Sequence, residues 1–114
     1  MLTMYGIANC DTVKRAKKWL KAHSIEYQFH DYKKASVDEA FLLDMIATHG
    51  VDTIVNKRGT TYRKLSDEQK SSLNAQSAVA LLKDNTSMIK RPILITQNSS
   101  LVGFSEDAYA KALL

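Results

Sequence analysis

The sequence has few of the residues that cross-link or stiffen a chain and no long apolar run that could anchor it in a membrane. Its 114 residues include one cysteine, one proline and four glycines. A single cysteine excludes an internal disulfide, which secreted proteins of this size often contain. We therefore expect a reducing compartment and a cytoplasmic location. The N-terminal residues show no basic region followed by an apolar core, so we expect no signal peptide.

Membrane spans and cofactor motifs are also missing. No apolar run approaches the roughly 20 residues that cross a bilayer. The histidines, His23, His30 and His49, are scattered without metal-ligand spacing. No phosphate-binding or dinucleotide-binding glycine motif occurs. We expect no metal and no bound cofactor. The net charge of +4 is too small to indicate nucleic acid, but it suits a small anionic ligand.

The first part of the chain predicts a strand, a helix and a second strand. Residues 2–7 are a short apolar run. Apolar residues then recur at spacings of three and four, which predicts a helix over 12–23 with Val13, Ala16 and Leu20 buried and Trp19 on the flank. Alternating apolar and polar residues over 25–30 predict a half-buried strand. Such a unit has parallel strands and a right-handed crossover.

The middle of the chain is predicted to be mainly helical. Ser36 with Glu39 is the pattern of a capping box, and Gly50 is a suitable end for the helix that follows. Residues 51–64 show no period, so we expect an irregular segment. Ser66 with Gln69 predicts another cap. Shorter helices are expected after Ser66 and over 75–83.

The last part predicts a hairpin and a helix. A strand over 93–95, a turn over 97–100 and a strand over 101–104 require antiparallel pairing, and Ser105 is a suitable cap for a helix that ends at Leu114. The fold class is therefore α/β. We expect one mixed four-stranded, thioredoxin-like sheet made from βαβ and ββα units. We also expect a single domain over 1–114 with a helical insertion at about 36–86.

Cys10 is the main candidate for chemistry. It is predicted to lie exposed where the first strand ends and the first helix begins, and a helix N-terminus stabilises an anion there. A cysteine in such a position has a lowered thiol pKa and is reactive. Lys14 and Arg15 add positive charge one turn later. The alternative is that Cys10 is a small buried hydrophobe, as free cysteines usually are.

Arg58 and Arg91 are candidates for holding an anion, because a guanidinium presents a planar fork of donors. Arg58 is followed by Gly59 and two threonines, which suits a loop that closes around a ligand. Arg91 precedes the third strand, which is expected to face the Cys10 loop. Either could equally be an ordinary surface arginine. For the Arg91–Pro92 bond, trans is the default from sequence alone.

Several separated motifs follow one another along nearly the whole chain. They are Tyr5-Gly6-Ile7-x-Asn9-Cys10-Asp11-Thr12, His30-Asp31-Tyr32, Asn56-x-Arg58-Gly59-Thr60-Thr61-x-Arg63-Lys64-Leu65, Ile89-Lys90-Arg91-Pro92 and Gly103-Phe104-Ser105. With these motifs the chain resembles the arsenate reductase (ArsC)/Spx superfamily, and most closely its YffB branch. The fold of that family, a thioredoxin-like sheet with a helical insertion, agrees with the order of elements above.

The resemblance implies a function and a site. Cys10 corresponds to the nucleophile of the family, and Arg58 and Arg91 to its oxyanion-holding arginines. Pro92 is implied to be cis beside the cysteine, and Asn9 joins these residues as a substrate-binding position. The implied activity is that of a glutathione-dependent thiol oxidoreductase acting on a disulfide or oxyanion. Glutathione is then the co-substrate and glutaredoxin a further partner, and we expect a monomer.

The chain also departs from the family patterns. The region Leu101–Phe104 contains no arginine, and Tyr5 lies near the position of a histidine in glutathione-linked arsenate reductases. Both changes argue against arsenate itself as substrate. Val13 replaces the second cysteine of the Spx C-x-x-C switch, so a disulfide of Cys10 must join another molecule. The alternative function is a non-catalytic, Spx-like regulatory or partner-binding protein that docks through the lysines of residues 14–21, although such a run is usually only a solvated face.

Overall fold

The computed structural model describes residues 2–114. Its sheet has the strand order β2-β1-β3-β4. Strand β1 (Leu2–Gly6) pairs in parallel with β2 (Tyr27–Asp31) and antiparallel with β3 (Ile93–Ile95). Strand β3 in turn pairs antiparallel with β4 (Ser100–Val102). The predicted mixed four-stranded sheet, its parallel βαβ unit and its antiparallel hairpin are confirmed.

The sheet forms a core with the first and last helices. Helix α1 spans Asp11–Ala22 and helix α7 spans Glu106–Leu113. Trp19, predicted on the flank of α1, is buried with the rest of the apolar face, because its ring packs edge-on against Tyr109 with centroids 5.6 Å apart. The buried residues of this core cluster are Met4, Val13, Ala16, Trp19, Leu20, Leu94 and Tyr109.

Glycines set two local features that position the site. A Cβ atom on Gly6 would lie 3.0 Å from Cγ2 of Val13, so glycine allows the first turn of α1 to pack closely on the end of β1. Gly103 has φ 79°, which ends β4 at Val102, two residues earlier than predicted. The predicted Ser105 cap is confirmed, since its Oγ accepts a hydrogen bond of 3.3 Å from the N–H of Ala108.

Two compact units divide the chain. The first consists of residues up to 35 together with 91–114, and the second of residues 36–90. The expectation of one domain over 1–114, with an insertion at about 36–86, stays a prediction. None of the helices within residues 2–114 has both the length and the apolar character needed to cross a bilayer. The second unit contains α2 (Glu39–His49), α3 (Val51–Ile54), α4 (Thr60–Arg63), α5 (Asp67–Ser71), α6 (Ala75–Asp84) and a 3-10 turn (Thr86–Met88).

The second unit contains the larger departures from the predicted helices, since α1 and α7 differ from their predicted bounds by one residue. Ser36 is not the cap of α2. Val37 is buried and the backbone stays extended through Asp38, which is the residue that precedes the helix. Residues 51–64 are not irregular throughout, since they include α3 and α4. Gly50, with φ 90°, ends α2 as predicted and lets α3 begin at once. The Ser66–Gln69 capping box is confirmed.

Candidate active site

Cys10 is the residue at which the chain enters α1. Its backbone is extended, with φ −140° and ψ 126°, and its carbonyl oxygen accepts a hydrogen bond of 2.9 Å from the N–H of Lys14. Cys10 was expected to be exposed, and its exposure is intermediate. The side chain is partly buried because it packs against the core cluster beneath α1. The sulfur therefore lies between the apolar core and the N-terminus of the helix.

The groups around this sulfur lower the pKa of the Cys10 thiol below its ordinary value. Burial acts in the opposite direction, since it disfavours the charged thiolate. The N–H of Val13, the side chain of Arg91 and the N–H of Thr12 outweigh it. Cys10 precedes α1, but its sulfur accepts no capping hydrogen bond from a backbone N–H of the described helix. The amides of the first turn therefore stabilise the thiolate mainly through their dipoles. The thiolate is thus favoured by the fold itself.

Arg91 reaches Cys10 because of the sheet topology. Strand β3 runs antiparallel to β1, with Ile93 opposite Tyr5, so the start of β3 lies beside the end of β1. The guanidinium acts on the sulfur both as a donor and as a positive charge. Pro92 is buried, and the Arg91–Pro92 bond is cis, as the resemblance implies and against the default from sequence alone. The third strand therefore does face the Cys10 loop, as expected.

Tyr32 also belongs to this site, although sequence reasoning gave it no role. Its N–H donates a hydrogen bond of 2.8 Å to the carbonyl oxygen of Gly6, and its side chain is 3% exposed. Burial raises the pKa of Tyr32 far above its ordinary value, while the charge of Arg91 partly opposes this. A neutral phenol therefore lies beside the guanidinium. The ring of Tyr5 lies 6.4 Å from that of Tyr32 and 4.7 Å from that of His30.

A signal for Tyr32 was present in the sequence. Tyr32 directly follows β2, just as the Cys10 loop follows β1, and the carboxyl ends of parallel strands meet at one edge of a sheet. The first unit of the structure therefore brings together Cys10, Arg91, Pro92 and Tyr32.

The other predicted binding residues have less structural support. Asn9 is exposed in the loop before Cys10. Arg58 belongs to the second unit, where it is exposed, and its N–H donates a hydrogen bond of 3.3 Å to Oδ1 of Asn56 just before α4. The roles of Asn9 and Arg58 in substrate binding stay predictions. Across residues 2–114, no group of three or more His, Cys, Asp or Glu side chains is arranged to hold a metal ion.

Comparison with known proteins connects this geometry to a family. A sequence profile described as the ArsC family matches residues 5–112. The chain is 46% identical to a solved structure named YFFB (PA3664) protein, with a TM-score of 0.95 and 100% of each chain covered. It is 42% identical to an arsenate reductase (ArsC) related protein from Brucella melitensis, with a TM-score of 0.77, covering 98% of this chain and 92% of the other. The global transcriptional regulator Spx of Staphylococcus haemolyticus is 30% identical over 115 residues, covering 99% of this chain and 87% of the regulator.

Proposed function

Since this chain belongs to the ArsC family, we propose that it is a thiol oxidoreductase that uses the Cys10 thiolate as nucleophile and glutathione as co-substrate. The observation that carries the proposal is the pairing of a cysteine at a helix N-terminus with an arginine directed at its sulfur. Both features stabilise the thiolate, which is the reactive form of a cysteine. The proposal places the protein in the cytoplasm as a monomer, with glutaredoxin as a further reductant.

The reaction proposed is thiol–disulfide exchange. The Cys10 thiolate attacks one sulfur of a disulfide substrate, a bond forms between the two sulfurs, and the original S–S bond breaks. The released thiolate takes a proton from solvent. A glutathione thiolate then attacks the substrate sulfur of the mixed disulfide, which returns Cys10 as a thiolate and leaves the substrate joined to glutathione. One cysteine is sufficient for this cycle.

Arg91 has two functions in the proposal. Its positive charge favours the attacking thiolate, and its donors suit a carboxylate of glutathione or the oxygens of an oxyanion, which is the alternative substrate class. Arg58 is proposed as a second anion-binding residue. Tyr32 keeps a neutral hydroxyl beside the guanidinium and so adds no competing negative charge.

The test is the rate at which oxidised glutathione modifies the protein, followed by intact mass. Because Cys10 is the sole cysteine, a gain of one glutathionyl group locates the bond. A synthetic peptide of residues 6–15 is the matched control, since it has the same neighbouring residues without the fold. We expect the folded protein to react faster than the peptide below about pH 8, where an ordinary thiol is mostly protonated. Equal rates at every pH would refute the activated thiolate, and Cys10→Ser should give no adduct.

Turnover is a separate measurement. The substrates are glutathione and a mixed disulfide of glutathione with a small thiol. Attack of Cys10 on the glutathionyl sulfur releases the small thiol, and attack by a second glutathione then gives oxidised glutathione, which should accumulate catalytically and be detected by NADPH consumption with glutathione reductase. Cys10→Ser should abolish this signal. Formation of the adduct without catalytic turnover would support a reactive Cys10 thiolate and contradict the proposed enzymatic activity.

A second candidate function is a regulatory, partner-binding protein. The observation that favours it is the identity of 30% with the transcriptional regulator Spx over nearly the whole chain. Val13 is fully buried in the core, so the position of the second switch cysteine is filled by an apolar packing residue here. A Cys10→Ser protein that keeps its biological effect in cells would support this second function against the first.

A further inference from the structure

Helix α1 carries an unusual concentration of positive charge. Its cations recur at spacings of three and four residues, opposite the face that packs in the core, so neighbouring side chains bring like charges together. Such pairs weaken a helix, and nothing in the packing of the core requires them. The cations of this basic face are Lys14, Arg15, Lys17, Lys18 and Lys21.

Acidic partners within the chain do not neutralise this face. The ion pairs found among residues 2–114, Lys57–Asp52 and Lys83–Glu39, involve no residue of α1. The ammonium of Lys17 lies 3.5 Å from the ring centroid of Phe29, a cation–π contact that keeps its charge.

Three cations of the basic face have acidic groups nearby, and one of them is Lys21, which lines a shallow groove together with Glu26. Arg15 and Lys18 line a groove that Glu106 and Asp107 of α7 also line, whereas Lys14, Lys17 and Lys21 do not line it. Asp11 is the acidic residue of the first turn. Lys14, Arg15, Lys18 and Lys21 are exposed, and none of these acidic groups is in an ion pair with a residue of α1 among residues 2–114, so the basic face keeps an excess of positive charge toward solvent.

The basic face begins one helical turn after Cys10. Lys14 is bonded through its N–H to the carbonyl of Cys10, and Nη2 of Arg15 donates a hydrogen bond of 3.4 Å to Oγ1 of Thr12. From Cys10 to Lys21 the helix rises about 16 Å. An extended tripeptide spans at most about 11 Å, so a molecule of the size of glutathione bound at Cys10 leaves the far end of this face unused.

We propose that the basic face of α1 docks a protein that carries a disulfide among acidic residues and delivers one sulfur of that disulfide to Cys10. This inference rests on the proposed function and names the partner class. Opposite charge steers such a partner to the helix whose N-terminus holds the thiolate. Nucleic acid is the less suitable occupant. The exposed residues of α1 between the cations include no amide or aromatic side chain to read or stack bases, and nucleic acid offers no sulfur for exchange.

The step at the docking surface is an exchange without net oxidation. The Cys10 thiolate attacks the sulfur of the partner, the Cys10–partner disulfide forms, and the second sulfur of the original disulfide leaves as a thiolate that takes a proton. The docked acidic residues keep the partner in place while its sulfur approaches.

The experiment uses two peptides of about twelve residues, each with one central cysteine activated as a 2-thiopyridyl mixed disulfide. One peptide has glutamates around the cysteine and the other has glutamines. The second-order rate constant for release of thiopyridone by the protein is measured for each. We expect the acidic peptide to react about tenfold faster than the neutral one at low ionic strength. This ratio should fall toward one at about 1 M salt, where the Debye length is about 3 Å and attraction between exposed charges is screened.

Charge-neutralising variants locate the effect. Using the ratio of the two rate constants removes any change in the reactivity of the thiol itself, because that change affects both peptides equally. Glutamine preserves helix propensity, so the variants should fold. The variant of the basic face should lose most of the preference, and the control variant, with the same change in net charge at exposed lysines outside α1, should keep it. The test variant is Lys14→Gln/Lys18→Gln/Lys21→Gln, and the control is Lys64→Gln/Lys83→Gln/Lys111→Gln.

Each outcome separates the docking surface from the function beneath it. Equal loss of the preference in both triple variants would overturn a specific docking face, because the net charge of the protein alone would then explain the preference. No preference in the unmodified protein, with rapid reaction of the neutral peptide, would overturn the docking face while the thiolate function stands. Tight binding of a labelled DNA duplex through the same lysines, without preference for the acidic peptide, would overturn it in favour of nucleic acid.

Discussion

The hydroxyl group of Tyr109 makes a direct prediction about the energetics of the core. Tyr109 is 0% exposed, and its ring packs edge-on against Trp19 and Phe104, with centroids 5.6 Å and 4.8 Å away. Its hydroxyl oxygen has no hydrogen-bond partner among residues 2–114. A buried donor without a partner costs about 1–3 kcal/mol, so the tyrosine is less favourable here than a ring without the hydroxyl.

Tyr109→Phe removes the hydroxyl and keeps both aromatic contacts. We expect the free energy of unfolding to rise by about 1 kcal/mol, the low end of that range, because the deleted oxygen leaves a small void that offsets part of the gain. For a chain of 114 residues, this corresponds to a rise in Tm of about 4 °C. Urea denaturation and a thermal scan near pH 7 measure the two quantities.

The pH dependence supplies a second check on the same variant. Burial raises the pKa of Tyr109 in the folded protein above its unfolded value of about 10. The neutral phenol therefore contributes stability that is fully present below about pH 10 and is lost as pH rises through the folded pKa. Because phenylalanine cannot ionise, the stability advantage of Tyr109→Phe should grow above about pH 10.

The control is Tyr32→Phe. Tyr32 is almost as buried, but the charge of Arg91 lies beside its phenol, so removing the hydroxyl is expected to give no gain. A decrease in the stability of Tyr109→Phe would refute the reasoning. It would mean that the hydroxyl has a partner, such as an ordered buried water.

Two further predictions concern the site. Arg91→Met should raise the pH midpoint of Cys10 alkylation toward that of an ordinary thiol, since both a donor and a positive charge are removed, and Arg91→Lys should fall between the two. The lowered thiol pKa contributes stability above the unfolded pKa that is lost as pH falls through the folded one, so Arg91→Met should flatten that part of the stability curve, and an unchanged midpoint would contradict this account. Gly6→Ala should cost about 1–3 kcal/mol, because its Cβ would lie 3.0 Å from Cγ2 of Val13. Val13→Ala in the same chain should recover part of that loss in a double-mutant cycle, and strictly additive effects would argue against the contact.

Features that depend on neighbours along the chain were predictable. The apolar period of α1 indicated its buried face, and the Ser66–Gln69 and Ser105 caps follow from local hydrogen bonding. The short helices α3 and α4 were missed because four residues are little more than one turn and show no period. Ser36 was assigned as a cap on its pattern alone, and the burial of Val37 moved the start of the helix.

The candidate site divides in the same way. Cys10 at the start of a helix can be recognised from the chain alone, because the amides that stabilise its thiolate are its immediate neighbours. The placement of Arg91 and Tyr32 beside the site depends on how the strands pair. The cis bond before Pro92 was implied only by the family resemblance, since trans is the default from sequence alone. Local hydrogen bonds and apolar spacing involve residues a few positions apart, so they can be predicted from the sequence. The partial burial of the sulfur and the charge placed beside it arise from contacts between distant segments, whose balance exists only once β1, β2 and β3 have come together.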